Sequence, residues 1–514
     1  MNPQAIPSAV ATQAAPGAGA GTAGASTTAE STASPIYDWQ SFGFETRQVH
    51  AGEYPDKNHG LRVPPIALSA GYLFDDFDDQ VNRFNASIHW RPEDQPGVDA
   101  PGDALSPSEQ RPSEAAAGHR QGFALSPSEH APIYSRQGNP SNWVAEDRLA
   151  SLEGGIVSVA VSSGQAAISS ALFTLAQQGD HIVSTASIYG GTRILFGRSF
   201  KRFGIDFDYV WDADDDDEWE RAIRPGTKAI YTETVPNPCN DVTDLRRIAE
   251  VAARYDLPLV VDNTVGTPAL IRPFEHGANI IVHSTTKFLT GHGAAVGGAV
   301  IDGGNFDWEA AERAGRGYPL ITQSSRPGVA PMLERFGAGA YARAVRESVV
   351  NDIGPTLSPL HGFLLHQGME TLSLRMERHV DSSIAIARWL EDQPEVESVD
   401  YAGLPSNPRY GIAERDYGVD AEGYGRTGSV FGVTVRGGID GARAFVNGLR
   451  VFSRMTGIGD TRSMVLHPLT STHGTFPAEI NERLGITPGL LRLSIGLESV
   501  EDLIGDLRAG LDRV

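Results

Sequence analysis

The chain has 514 residues, more than one hydrophobic core supports, so at least two globular units are expected. Asp and Glu number 64 against 42 Lys and Arg, a net charge of −22 that argues against nucleic acid or anionic membrane as partners and for small molecules. The single cysteine, Cys239, excludes a disulfide framework or a multi-cysteine metal site, and no apolar run approaches the roughly 20 residues of a membrane span. The first residues lack the basic and apolar regions of a secretory signal, so a cytoplasmic protein without a resident metal is expected.

In chain order, residues 1–36 are almost entirely Ala, Gly, Ser, Thr and Pro, a composition expected to give a disordered tail. Its Gly19-x-Gly21-x-x-Gly24 follows no strand and opens no helix, so it is not read as a dinucleotide site. Residues 37–138 form an arm with a Pro/Ser-rich insertion at about 85–131, where Ala104-Leu-Ser-Pro-Ser-Glu109 recurs as Ala124-Leu-Ser-Pro-Ser-Glu129. From 156 to 304 short apolar runs alternate with amphipathic stretches. Strands are expected over 156–161, 181–184, 228–232, 258–261 and 278–282, with helices over 165–176 and 244–255. That alternation implies βαβ units, a largely parallel sheet, and ligands bound at the carboxyl ends of the strands. The expected large domain covers 139–338. A smaller α/β domain over 339–514 should hold a helical stretch at 359–392, strands at 429–435 and 490–495, and a last helix at 500–513.

Two apolar runs end in residues a core would not choose. One stops at Asp262, the other at His283-Ser-Thr-Thr-Lys287. Pyridoxal phosphate (PLP) needs such a set: a lysine that loses its proton in a shielded place, a carboxylate for the pyridine nitrogen, and amides with hydroxyls for the phosphate. Lys287 lies between Ile281-Val282 and Phe288-Leu289, and Asp262 closes Leu259-Val260-Val261. Ser162-Ser163-Gly164-Gln165 leads a strand into a helix, while Ser284 and Thr286 offer hydroxyls.

Six ordered motifs carry a resemblance: Tyr134-Ser-Arg136-Gln-Gly-Asn-Pro140, Ser162-Ser-Gly-Gln165, Tyr189-Gly-Gly-Thr192, Asn237-Pro238, Val261-Asp262-Asn-Thr264 and Ser284-Thr-Thr-Lys287. Together they resemble the Cys/Met-metabolism family of fold-type I PLP-dependent enzymes. The resemblance implies a transferase with a large, mostly parallel-sheet domain and a smaller C-terminal one. It makes Lys287 the catalytic lysine that holds the cofactor, Asp262 the pyridinium partner, and Tyr189 the aromatic that stacks on the ring and helps move protons at the leaving group. Ser163, Gly164, Gln165, Ser284 and Thr286 would serve the phosphate, Asn237 the phenolic oxygen, and Arg492 the substrate carboxylate. Tyr134 and Arg136 would reach the site of a neighbouring subunit, which implies a homo-oligomer, a dimer of dimers.

Phe44-Glu-Thr-Arg47, His292-Gly293, Thr371–Arg378, Ile458-Gly-Asp460, Ser463–Pro468 and Ser471-Thr-His473 resemble the branch that makes homocysteine from O-acetylhomoserine and sulfide in methionine biosynthesis. Cystathionine γ-synthase or γ-lyase chemistry is the alternative. Thr456-Gly457 departs from the Ala-Asn expected in that branch.

Overall fold

The alternation of apolar runs and helices folds into a seven-stranded sheet made of β1 (Val157–Val161), β2 (His181–Thr185), β3 (Asp206–Val210), β4 (Thr227–Glu233), β5 (Leu259–Asp262), β6 (Ile280–His283) and β7 (Gly298–Asp302). Its order is β1-β7-β6-β5-β4-β2-β3. Strands β2 to β6 run parallel, and β7 is antiparallel to both β1 and β6. This is a computed structural model that describes residues 39–53, 60–88, 132–325 and 327–514, all within one compact unit, Asp38–Val514. The tail expected at 1–36 and nearly all of the insertion expected at 85–131 lie outside the described residues.

Both faces of this sheet are covered. Ala229, Tyr231, Val260, Ile280 and Val282 pack with helix Gly164–Leu175 on one side. Ile230, Leu259, Val261 and Ile281 pack with helices Pro140–Glu153 and Leu245–Arg254 on the other. Burial on two faces is why the runs read as continuously apolar. Because side chains alternate along a strand, Glu233 and Asp262 fall on the side of Tyr231 and Val260, facing helix Gly164–Leu175. His283 falls on the other side with Ile281.

The second sheet contains β8 (Val396–Asp400), β9 (Val430–Val435), β10 (Ser453–Arg454), β11 (Met464–Leu466) and β12 (Leu490–Ser494), in the order β10-β11-β12-β9-β8. Phe431, Val433, Leu491 and Leu493 form a third core with helices Leu372–Glu391 and Val500–Leu511. Arg492, between Leu491 and Leu493, therefore points away from that core.

Several elements carried no expectation from the sequence. β3, β7 and β8 are among them, and β3 alternates polar with apolar residues because it lies at a sheet edge. Helix Pro140–Glu153 has a legible start: the Asn139 side chain accepts from the Ser141 amide at 2.9 Å and Pro140 takes the first position. The stretch expected to be helical at 359–392 is two helices, Pro359–Met369 and Leu372–Glu391. The Arg375 guanidinium fastens the break, donating to Gly368 O at 2.6 Å and to Phe288 O at 2.7 Å. Among the described residues no helix is long and apolar enough to cross a membrane.

Candidate active site

Three strand ends and one helix start converge. Asp262, at the end of β5, accepts from the Thr264 amide at 2.9 Å and from the Tyr231 hydroxyl at 3.3 Å. Among the described residues it forms no ion pair with a lysine or arginine. Burial pushes its carboxyl above the ordinary aspartate value, so the charged form gains from a cation brought into the site. Beside it, in register on β4, lies Glu233, whose carboxyl Oε1 accepts from the Tyr189 amide at 2.7 Å.

Lys287 follows β6 in a tight turn, with its amide donating to Ser284 O at 3.2 Å and its carbonyl accepting from Gly291 at 2.8 Å. Burial first, and then the charge of Arg492, hold its ammonium below the ordinary lysine value. This favours the free amine that nucleophilic and proton-transfer work requires. Thr264 ties the two strand ends together, because its Oγ1 accepts from the Ser284 amide at 2.8 Å.

The start of helix Gly164–Leu175 presses on that turn. A Cβ on Gly164 would stand 2.6 Å from the Ser284 Cβ, and one on Gly298 would stand 2.1 Å from Ser163 O. Only glycine permits this approach. Ser163 caps the helix, its Oγ accepting from the Ala166 amide at 3.1 Å. The amides of Gly164 and Gln165 make no hydrogen bond among the described residues, and Gln165 Oε1 is buried without a partner. Thr286 is committed to backbone: its hydroxyl donates to Gly297 O at 3.2 Å and accepts from the Gly297 amide at 3.1 Å. An amide-lined helix start with an unsatisfied side chain beside the Ser284 hydroxyl suits a phosphate.

Arg492 reaches across from the second sheet. It is 3 % exposed, donating to Thr456 O and Gly457 O, both at 2.9 Å, and to Asn237 Oδ1 at 3.3 Å. No carboxylate pairs with it among the described residues, and its Nε is buried without a partner. Arg492 is therefore not half of a structural ion pair among the described residues. Burial lowers its pKa to about 10, which leaves it charged at neutral pH and short of an anion. The two residues that depart from the branch, Thr456 and Gly457, hold it through their backbone carbonyls.

Tyr189 opens helix Gly190–Ile194 with its ring folded back, 2.4 Å from where a Gly191 Cβ would lie. Tyr134 and Arg136 are placed differently. Arg136 donates to Asn351 Oδ1 at 2.5 Å and to its carbonyl, and its Cζ lies 5.8 Å from the Tyr134 ring. Neither bonds to Lys287, Asp262 or Arg492 of the same chain. Cys239 stays a thiol, since burial pushes its pKa well up.

Sequence reasoning missed Tyr231, Glu233, Thr264 and His473. The first two had a signal: Tyr231-Thr-Glu233 is a polar ending to a buried strand, the same pattern that marked Asp262. His473 had only its place in a motif. Its ring lies 3.5 Å from where a Gly190 Cβ would be, and burial with the charges of Arg492 and Arg193 brings its pKa to about 4, keeping it neutral.

Residues 112–512 match the family model described as Cys/Met metabolism PLP-dependent enzyme. The chain belongs to that family. Members of this family use PLP, and the buried anion-binding and cation-binding groups above fit it. O-acetyl-L-homoserine sulfhydrylase of Corynebacterium glutamicum is 39% identical over 479 residues, covering 93% of this chain and 99% of the relative. Homocysteine synthase of Schizosaccharomyces pombe is 37% identical, covering 92% and 99%. Among solved structures, a putative O-acetylhomoserine (thiol)-lyase of Campylobacter jejuni with a pyridoxyl-lysine monophosphate residue superposes with a TM-score of 0.78 at 29% identity. It covers 92% of this chain and 100% of that one. Cystathionine γ-lyase of Lactobacillus plantarum gives 0.69 at 28%, covering 92% and 99%. The expected fold class, a type I PLP enzyme with a mostly parallel main sheet, is what the structure and these neighbours show.

For a PLP enzyme built this way, Gly164→Ala should loosen the phosphate cradle. The added methyl forces the helix start off Ser284, and overpacking of this kind costs about 1–3 kcal/mol. PLP affinity, read from the visible band during titration, should fall roughly ten- to a hundredfold.

Proposed function

We propose that this enzyme replaces the γ-acetoxy group of O-acetyl-L-homoserine by sulfide, giving L-homocysteine and acetate in methionine biosynthesis. The observation that carries this reading is the end-to-end match to relatives named for that reaction, above 90% of both chains. Arg492, buried and without an anion among the described residues, would take the substrate α-carboxylate through a bidentate pair, with Asn237 steadying it. Lys287 would hold the cofactor aldehyde, Asp262 its pyridine nitrogen, and the Gly164 and Gln165 amides with Ser284 its phosphate. Ser163 and Thr286 keep that cradle in shape, and Tyr189 covers the ring. When bound, PLP supplies the electron sink that makes the α-proton acidic.

The chain's own residues then move protons. The Lys287 amine would take the proton from Cα and pass protons toward Cβ. Acetate leaves Cγ and hydrosulfide takes its place. Lys287 returns a proton to Cα.

The purified enzyme is to be offered O-acetylhomoserine with sulfide, the same ester with cysteine, and then cystathionine or methionine alone. Homocysteine from sulfide should dominate. Faster release of ammonia and 2-oxobutyrate from cystathionine or methionine would replace this reading by the γ-lyase one, and cystathionine from cysteine by the synthase one.

We further propose a cytoplasmic homo-oligomer, a dimer of dimers, whose domains divide near residue 338 and whose sites each borrow Tyr134 and Arg136 from a neighbouring copy. The arm supports the oligomer, exposing Leu68 at 75 %, Leu73 at 93 % and Phe77 at 73 %, apolar side chains that a neighbouring copy would cover. Mixing subunits that carry Arg136→Ala with subunits that carry Lys287→Ala should restore about a quarter of wild-type activity, since half the sites of a mixed dimer escape both lesions. No recovery after subunit exchange would place Arg136 in its own chain's site.

A further inference from the structure

Glu233 is a buried acid that the reaction above leaves without a task. It ends β4 directly opposite Asp262 in the parallel register, on the same side of the sheet, 5 % exposed. Neighbouring strands lie about 4.8 Å apart, so the two carboxyls are close neighbours. Among the described residues no lysine, arginine or histidine pairs with Glu233, and its one hydrogen bond is the 2.7 Å contact from the Tyr189 amide. Around it stand Tyr231 on its own strand, Asp262 on the next and Tyr189 at the helix start; the His283–Glu153 pair lies across the sheet.

We propose that Glu233 is a positioning residue that works as a neutral acid, its oxygen fixing the Tyr189 backbone and its proton leaving the single negative charge of the strand ends on Asp262. Two adjacent buried carboxyls cannot both ionise without a counter-charge, and the better-solvated one keeps the charge. Asp262 has two donors, Thr264 and Tyr231, whereas Glu233 has one. Burial first and the neighbouring Asp262 second push the Glu233 carboxyl well above the ordinary value. A protonated Glu233 still accepts from Tyr189 through its carbonyl oxygen. Tyr189 is thereby held over the ring while Asp262 meets the pyridinium undiluted by a second anion. This rests on the assignment of Asp262 and Tyr189 to the cofactor ring.

The PLP-loaded enzyme and its Glu233→Gln, Glu233→Asp and Glu233→Ala variants test it. Glutamine copies a neutral acid, so Glu233→Gln should keep the pH midpoint of the visible band within about 0.3 unit and kcat within about threefold. The shorter aspartate and alanine leave the Tyr189 amide unsatisfied and should lower kcat about tenfold or more, with KM changing less. Rescue by glutamine alone supports the inference. A shift of the Glu233→Gln midpoint by more than about one unit shows that Glu233 is ionised in the native site and overturns it. A glutamine variant as slow as alanine, or an alanine variant as fast as wild type, overturns it as well. If wild type itself forms no visible band with PLP, the cofactor assignment fails, a different outcome from any of these.

Discussion

Lys287→Ala should leave a protein that folds and binds PLP but turns over essentially no substrate. Loss of general acid–base work alone removes about 10²–10⁴ in rate, and loss of the covalent anchor adds to it. Neither the fold nor the cradle should suffer. Lys287 is held by its backbone contacts to Ser284 and Gly291, which alanine keeps, and its ammonium anchors no other side chain among the described residues. Borohydride should fix the cofactor to the wild-type chain at Lys287 and to no residue of the variant, with peptide mass spectrometry as the readout. A variant that keeps turnover above a few per cent would take Lys287 out of the reaction.

Arg492→Ala should act on substrate rather than on cofactor. Removing one partner of a buried, hydrogen-bonded charge pair costs about 2–5 kcal/mol, or roughly thirty- to several thousandfold in kcat/KM. PLP affinity should stay within a few-fold, because the cradle of Gly164, Gln165 and Ser284 lies on the other sheet. Arg492→Lys should recover only part of the loss, since an ammonium cannot make the planar two-point contact. Unlike a buried arginine that neutralises an acid, Arg492 has only carbonyls and Asn237 Oδ1 as partners among the described residues. Its removal should therefore leave no buried carboxylate unpaired. Thermal unfolding close to wild type together with a collapsed kcat/KM is the expected signature, and a large fall in stability with unchanged kcat/KM would argue for a structural role.

The strand ends at Asp262 and Lys287 were legible because buried strands are apolar by necessity. A charged residue closing such a run stands out against that background. Glu233 closes β4 in the same way, yet Thr232 and Thr234 around it blur the step from core to site. Arg492 was visible as an arginine in an apolar strand, but sequence could not separate a substrate clamp from an ion pair. That depended on what the opposite face of β12 meets, a matter of how two sheets dock. The same limit applies to His473, which becomes a neighbour of Gly190 only through the return of the C-terminal segment.

By itself, the sequence determined the parallel α/β plan, the two chemistry-bearing strand ends and the family, because residue spacing along a strand or helix is local and the motifs are contiguous. Tertiary structure decided the rest. It put Glu233 beside Asp262, left Arg492 without an anion among the described residues, turned Arg136 toward Asn351, and brought Gly164 to within a methyl's width of Ser284. Each of these is a meeting of segments up to several hundred residues apart. Burial and charge balance, which set what such groups can do, exist only once those segments have packed.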